Sequence, residues 1–381
     1  MTEPFVPPPY PYDRLDALKP LAAAHEGGAI DLSIGTPCDP PPAAVVEALA
    51  NSGVERGYPP SIGTAAFRDS AAGWLDRRFG VRLGDGELAA CIGTKEFVAS
   101  LPNYLHLRRP DRDTVLYPAV SYPSYEMGAT LAGCRAVAVP VDDRWRLDLG
   151  AIDPADASRA LCLWTNTPGN PAGGLDDLAS VAAWGRSHDV PVFSDECYIE
   201  FTWDDPYPGT PGASVPGRSV LEHGTAGVVA VHSLSKRSNL AGVRSGFYAG
   251  DAELVDYLRE VRKHAGMMVP GPVQAASVVA FGDDAHVDTQ RAIYRSRLER
   301  MAAILATLGL EAPLPGGGFY LWVPAPQGDA WGLTRRLAEQ LGILVSPGEF
   351  YGEAAADHVR LALVAPDDRL DLIEARAAAV V

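Results

Sequence analysis

The sequence predicts an α/β fold: a mainly parallel sheet covered by helices on both faces, joined to a smaller α+β domain. Short, almost continuous apolar runs recur at residues 114–117, 136–141, 160–165, 190–194, 227–231 and 245–249. Helical stretches separate several of them, at 175–187 and 252–264. Strands buried on both faces read as unbroken apolar runs, and a helix between two of them makes the crossover that parallel pairing needs. The pattern changes after a long amphipathic stretch at 287–308, beyond which strand and helix patterns alternate on a smaller scale.

Taken in order, residues 1–30 read as an arm and a short helix. Pro7, Pro8, Pro9 and Pro11 favour an extended entry, and the helix is expected around 13–25. Residues 30–37 read as a short strand ending in a turn. Pro40, Pro41 and Pro42 then precede a helix over 43–50. Within the sheet region, residues 203–217 are rich in Pro and Gly and read as a surface loop. After the long helix come a strand at 319–323, a helix near 331–341, a strand at 359–364 and a final helix from Asp367. A chain of 381 residues is too long for one simple core. The expected division is an arm that shares in the smaller domain (1–40), a large domain (41–283) and a C-terminal small domain (284–381).

With 32 basic and 48 acidic side chains, the net charge is −16. A chain this acidic repels nucleic acid and anionic membrane surfaces, although a local basic pocket still admits a small anion. No apolar run reaches the length of a membrane span. Cys38, Cys91, Cys134, Cys162 and Cys197 are scattered, odd in number and without metal-ligand spacing, so they read as reduced thiols of a cytoplasmic protein. Cys197, close to Asp195, reads as a core thiol, with a site role as the alternative. The N-terminus lacks the basic-then-apolar pattern of a signal peptide.

The chemistry-bearing residues fall just after the apolar runs, where ligands collect in open parallel sheets. Lys236 stands among Ser233, Ser235 and Ser238, with Arg244 eight positions on. A lysine amine forms a Schiff base with an aldehyde. Hydroxyls and an arginine hold a phosphate by charge-assisted hydrogen bonds. Pyridoxal phosphate (PLP) carries both groups. A Ser-x-Ser-Lys string by itself more often belongs to a solvated lysine, so the other parts of such a site must be present. Gly93, Thr94 and Lys95 open a helical stretch over 97–105, a place for a phosphate or simply a capped helix start. Tyr122 follows the run at 114–117 and suits stacking on a planar ring or ordinary loop packing. Asn170 sits in a Pro/Gly-rich loop, where its amide suits a phenolate oxygen and its conformation suits a plain turn. Asp195 ends the run at 190–194, where a carboxylate needs a protonated partner such as a pyridinium nitrogen, or caps a helix. Tyr198 is placed to reach the phenolic oxygen of the same ring.

The order of these parts is Gly-Thr-Lys at 93–95, Tyr122, Asn-Pro-Ala-Gly at 170–173, Asp-x-x-Tyr at 195–198, and Ser-x-Ser-Lys at 233–236 with Arg244. With it the chain resembles the class I and II aminotransferases, PLP-dependent transferases of fold type I, over nearly its whole length. The resemblance implies a seven-stranded sheet in the large domain and a ping-pong exchange between an amino acid and a keto acid. It assigns Lys236 as the covalent anchor and proton carrier and Asp195 as the partner of the pyridine nitrogen. Asn170 and Tyr198 go to the phenolic oxygen, and Tyr122 to the ring face. Gly93, Thr94, Lys95, Ser233, Ser235 and Arg244 form the phosphate cup. Tyr58 matches a tyrosine that reaches the phosphate of a neighbouring subunit, which implies a homodimer with shared sites. Gly35 and Arg360 match the residues around the substrate carboxylate. Val359 and Leu361 alternate with Arg360 and belong on the opposite face of its strand.

The wording at 91–100 and 266–274, with the opening at 32–37, is similar to the succinyldiaminopimelate aminotransferases of actinobacterial lysine biosynthesis. That likeness implies glutamate as donor and N-succinyl-2-amino-6-ketopimelate as acceptor. Arg237, Arg262, Lys263 and His264 are candidates for a distal carboxylate, with solvated surface charge as the competing reading. Rivals stand beside this one: another aminotransferase, a PLP-dependent carbon–sulfur lyase, and a non-catalytic aminotransferase-like regulatory domain. The presence of Lys236 and the short arm disfavour the last. A nicotinamide-dependent dehydrogenase is disfavoured because no Gly-x-Gly-x-x-Gly follows the first strand.

Overall fold

The apolar runs become six strands of a seven-stranded sheet. A computed structural model of the chain describes residues 4–203 and 217–380, so all but the two ends of the loop expected at 203–217 lies outside the described residues. Its strands are β1 (Ile30–Asp31), β2 (Leu88–Cys91), β3 (Thr114–Pro118), β4 (Arg135–Val139), β5 (Ala160–Asn166), β6 (Val192–Asp195), β7 (Val228–Ser233), β8 (Gly246–Gly250), β9 (Tyr320–Pro324), β10 (Ile343–Leu344), β11 (Ser346–Pro347) and β12 (His358–Ala362). The large sheet has the order β2-β8-β7-β6-β5-β3-β4. All its pairs are parallel except the two made by β8.

Helices cover both faces, and aromatic side chains fill the space between. On one face Trp74 meets Phe79, Phe247 and Phe281, beneath the helices Ala65–Phe79 and Gly271–Gly282. On the other, Phe97 stacks on Tyr248, and Tyr125 on Trp164, beneath the helices Thr94–Arg108 and Ala252–His264. Burying a side chain of this size contributes roughly 2–3 kcal/mol. A separate apolar cluster joins Ile30 and Leu32 to Leu298, Leu321, Leu337, Val359 and Leu361. It lies on the antiparallel sheet β11-β12-β9 and the parallel pair β1–β10. This separation supports the division we propose at 1–40, 41–283 and 284–381.

Local chemistry explains where the elements differ from expectation. The helix expected around 13–25 divides into a 3-10 turn, Pro11–Leu15, and a short helix, Lys19–Ala23. Pro20 sits in the first turn of the second piece, where its missing N–H costs nothing, and cannot lie inside one continuous helix. The strand expected at 30–37 stops at Asp31, because the Asp31 carboxylate takes both the backbone N–H and the hydroxyl of Ser33. β2 adds an edge strand too short to show a pattern of its own. Among the described residues, no helix is long and apolar enough to cross a membrane.

Candidate active site

The carboxyl ends of β5, β6 and β7 and Tyr122 of the loop after β3 border a cavity of about 360 Å³, and the smaller sheet reaches it through Tyr320 and Arg360. Lys236 enters from the one-turn helix Leu234–Arg237 that follows β7. Ser233 caps this turn: its Oγ accepts from the Ser235 N–H at 3.0 Å and donates to the Ser235 hydroxyl at 2.8 Å. The Lys236 ammonium donates to the Gly35 carbonyl and lies 5.8 Å from the Phe319 ring centre. Burial lowers its pKa to about 8; Arg360 and Arg244 push the same way and Asp195 opposes them.

The other side chains of the cavity divide into three groups. At the start of the helix Thr94–Arg108, Gly93 adopts φ +71°, and a Cβ there would run into the Arg244 guanidinium. Glycine therefore lets Arg244 lie across the helix N-terminus, where free N–H groups favour an anion. Arg244 is steadied by its own Nη1 donating to the Ala241 carbonyl at 2.8 Å. Thr94, Lys95, Ser233 and Ser235 line the cavity with it.

Asp195, at the end of β6, is buried. Tyr125 donates its hydroxyl to Asp195 Oδ2 at 2.9 Å, and the Cys197 N–H donates to Oδ1 at 3.2 Å. Burial pushes the carboxyl pKa up, while the contacts with Cys197 and Tyr125 pull it down. Tyr122 lines the cavity, with the Lys95 ammonium 5.9 Å from its ring centre.

The third group gathers around Arg360. Arg360 is 2% exposed and points from β12 into the cavity, while Val359 and Leu361 enter the smaller core. Its Nη1 donates to Asn170 Oδ1 at 2.7 Å and its Nη2 to the Ser33 carbonyl at 2.5 Å. Its guanidinium carbon lies 4.3 Å from the Tyr320 ring centre and 4.7 Å from that of Tyr351. Asn170 is held by its own N–H, which donates to Asn166 Oδ1 at 2.8 Å, in a loop with cis peptides before Pro168 and Pro171. With its oxygen committed to Arg360, its NH₂ group is what remains for a ligand. The Tyr198 hydroxyl lies 2.7 Å from that of Tyr320. Gly35 lines the cavity, and a Cβ there would collide with the Tyr320 hydroxyl.

Of the residues singled out in the sequence, Tyr58 stands apart: it is 96% exposed and does not line the cavity of its own chain. Two readings need correction. Cys197 is not simply a core thiol, since it lines the cavity and its Sγ lies 3.3 Å from Thr94 Oγ1. None of Arg237, Arg262, Lys263 and His264 lines the cavity. Arg237 and Arg262 are not solvated either. Arg237 is buried against Glu200 and Asp284, and Arg262 makes a two-pronged contact with Glu96. Tyr125, Asn166 and Tyr320, with Tyr10 and Tyr12 from the arm, are site neighbours that the sequence reading missed. Tyr320 had a signal, because Leu321 and Val323 are apolar and alternation turns Tyr320 the other way.

A phosphorylated pyridine aldehyde fits this donor set: an amine with a lowered pKa, a buried carboxylate, and a hydroxyl-and-arginine cup at a helix N-terminus. A family model described as "Aminotransferase class I and II" matches residues 28–375. A probable aminotransferase of Mycobacterium tuberculosis is 43% identical, over 95% of this chain and 83% of its own. The 4-dedimethylamino-4-oxo-anhydrotetracycline transaminase OxyQ of Streptomyces rimosus is 42% identical, over 97% of this chain and 98% of its own. The solved structure of a probable N-succinyldiaminopimelate aminotransferase from Thermus thermophilus is 31% identical with a TM-score of 0.82, covering 97% of this chain and 99% of that one. With the family model spanning nearly the whole chain and two relatives more than 40% identical over its length, this protein belongs to the class I and II aminotransferases, enzymes that work with pyridoxal phosphate.

Proposed function

We propose that the chain moves an amino group from glutamate to N-succinyl-2-amino-6-ketopimelate. The observation that carries the transfer reading is Lys236, an amine with its pKa drawn down to about 8 in one cavity with Asp195, Arg244 and Arg360. When bound, the cofactor supplies an electron sink for the charge left as a substrate Cα loses its proton. Lys236, as the free amine, takes that proton at Nζ. Asp195 holds a proton on the ring nitrogen, and Asn170 and Tyr198 hold the phenolic oxygen. Thr94, Ser233, Ser235 and Arg244, with the N–H groups of Gly93 and Lys95, hold the phosphate, and Tyr122 covers the ring. Arg360 pairs with the carboxylate common to donor and acceptor. Gripped between two tyrosine rings, it keeps Cα within reach of Lys236. Tyr58 from a second copy of the chain completes the phosphate cup, which makes the working form a homodimer.

The acceptor rests on the likeness at 91–100 and 266–274 and on the Thermus relative. A second reading has an observation of its own. The basic residues considered for a distal carboxylate lie outside the cavity, while Tyr10 and Tyr12 of the arm line it. A tyrosine-lined wall suits a ketone on a flat polycyclic skeleton, the kind of substrate in the name of the Streptomyces relative. The test is to convert the loaded protein with glutamate and then offer each acceptor in turn, following return of the cofactor's original absorption. Return with the succinylated keto acid supports the first reading. Return with the polycyclic ketone alone replaces it. Release of ammonia or thiol in place of transfer would make the protein a lyase.

A further inference from the structure

Tyr320 has been given no role so far, yet it touches three parts of the site. It lies on β9, opposite Ala362, two residues from the point where Trp322 pairs with Arg360. It is buried, its ring faces the Arg360 guanidinium, and its hydroxyl meets both the Tyr198 hydroxyl and the space at Gly35. The smaller sheet that carries the carboxylate-binding arginine is thus hydrogen-bonded to the residue that holds the cofactor ring.

The direction of that bond follows from proton counting. Burial pushes the pKa of both phenols up, that of Tyr320 to about 12, so both are neutral at working pH and each has one proton to give. A phenolate oxygen on the cofactor only accepts. Once Tyr198 gives its proton to that oxygen, the bond at 2.7 Å has a single orientation, with Tyr320 as donor and Tyr198 as acceptor. Hydrogen bonds arranged in such a chain polarise and strengthen one another.

We propose that Tyr320 is a positioning residue of the transfer reaction, donating to Tyr198 and so tightening its hold on the cofactor's phenolate while its ring braces Arg360. The inference rests on the roles given above to Tyr198 and Arg360. A donor to the phenolate draws off charge that otherwise retains the proton at the Lys236–cofactor link. Losing the donor therefore raises the pH at which the bound cofactor changes colour.

The experiment is a pH titration of the cofactor's absorption in the loaded wild type and in Tyr198→Phe, Tyr320→Phe and Tyr320→Leu, with binding of succinate as a non-reacting carboxylate. Tyr198→Phe is expected to raise the midpoint. Tyr320→Phe should raise it by a smaller amount, about half a unit, with succinate affinity unchanged because the ring remains. Tyr320→Leu should raise the midpoint similarly and also weaken succinate about threefold to tenfold, through loss of the cation–π face. A shifted Tyr198→Phe beside an unshifted Tyr320→Phe overturns the inference and leaves the reading of Tyr198 standing. No shift in either variant overturns the assignment of Tyr198, and the inference with it.

Discussion

Arg360 can serve a substrate carboxylate because its charge is not spent. Among the described residues its partners are neutral: an amide oxygen, a backbone carbonyl and two tyrosine faces, with Nε unpartnered. Arg360→Ala should raise the Michaelis constant for the amino donor about tenfold to a hundredfold, the value of a charged hydrogen-bonded pair. Arg360→Lys should recover little of it, since a point charge cannot match two carboxylate oxygens side by side; steady-state kinetics on both variants checks this. Lys236 gives a prediction in pH. Its lowered pKa means that the free amine appears as pH rises through about 8, rather than near 10.4 as in a solvated lysine. Capture of PLP by the apo-protein should therefore speed up to about pH 8 and then level off. A rate that keeps climbing towards pH 10 would show a lysine with an ordinary pKa. At this scale much was legible: the spacing of Lys236 and Arg244, the strand-end Asp195, and the alternation Val359-Arg360-Leu361. The contacts of Tyr125 and Tyr320 were not, because each meets its partner, Asp195 or Tyr198, only through folding.

The elements hold the site through buried ion pairs rather than through the strands alone. Glu200 is buried and accepts from Trp74 Nε1 at 2.7 Å, Arg78 Nε at 3.0 Å and Arg237 Nε at 3.1 Å. It thereby ties the helix Ala65–Phe79 to the turn that carries Lys236. Glu200→Ala removes the shared acceptor from two buried guanidiniums and should lower stability by about 3 kcal/mol, read from the urea midpoint. The helix Ala252–His264 was legible because its apolar period is strong, with Leu254, Val255 and Leu258 on its buried face. The first segment was misread where Pro20 restarts a helix and Asp31 ends a strand. Arg237 and Arg262 show the limit of reading charge from sequence. Both look like surface residues until folding supplies Glu200, Asp284 and Glu96 as partners.

At the scale of the whole molecule, the smaller core takes residues from both ends of the chain, with Ile30 and Leu32 packed among residues 298–377. Arg360 and Tyr320 come from this unit, and Lys236, Asp195 and Arg244 from the large sheet, so the site exists only where the two meet. Tyr58, exposed in its own chain, should join a second copy. Tyr58→Phe is expected to speed loss of PLP on dialysis while the mass in solution stays at twice 40.4 kDa. A monomeric wild type would remove that role. The central claim, amino transfer at Lys236, is tested most directly by a half-reaction. Mix the PLP-loaded protein with glutamate and no acceptor, and measure the cofactor's absorption together with 2-oxoglutarate and ammonia. The account predicts conversion to the amine form with one 2-oxoglutarate per site, no ammonia, and no conversion in Lys236→Ala. An unchanged spectrum in the wild type would contradict glutamate transfer, and ammonia released turnover after turnover would contradict transfer itself.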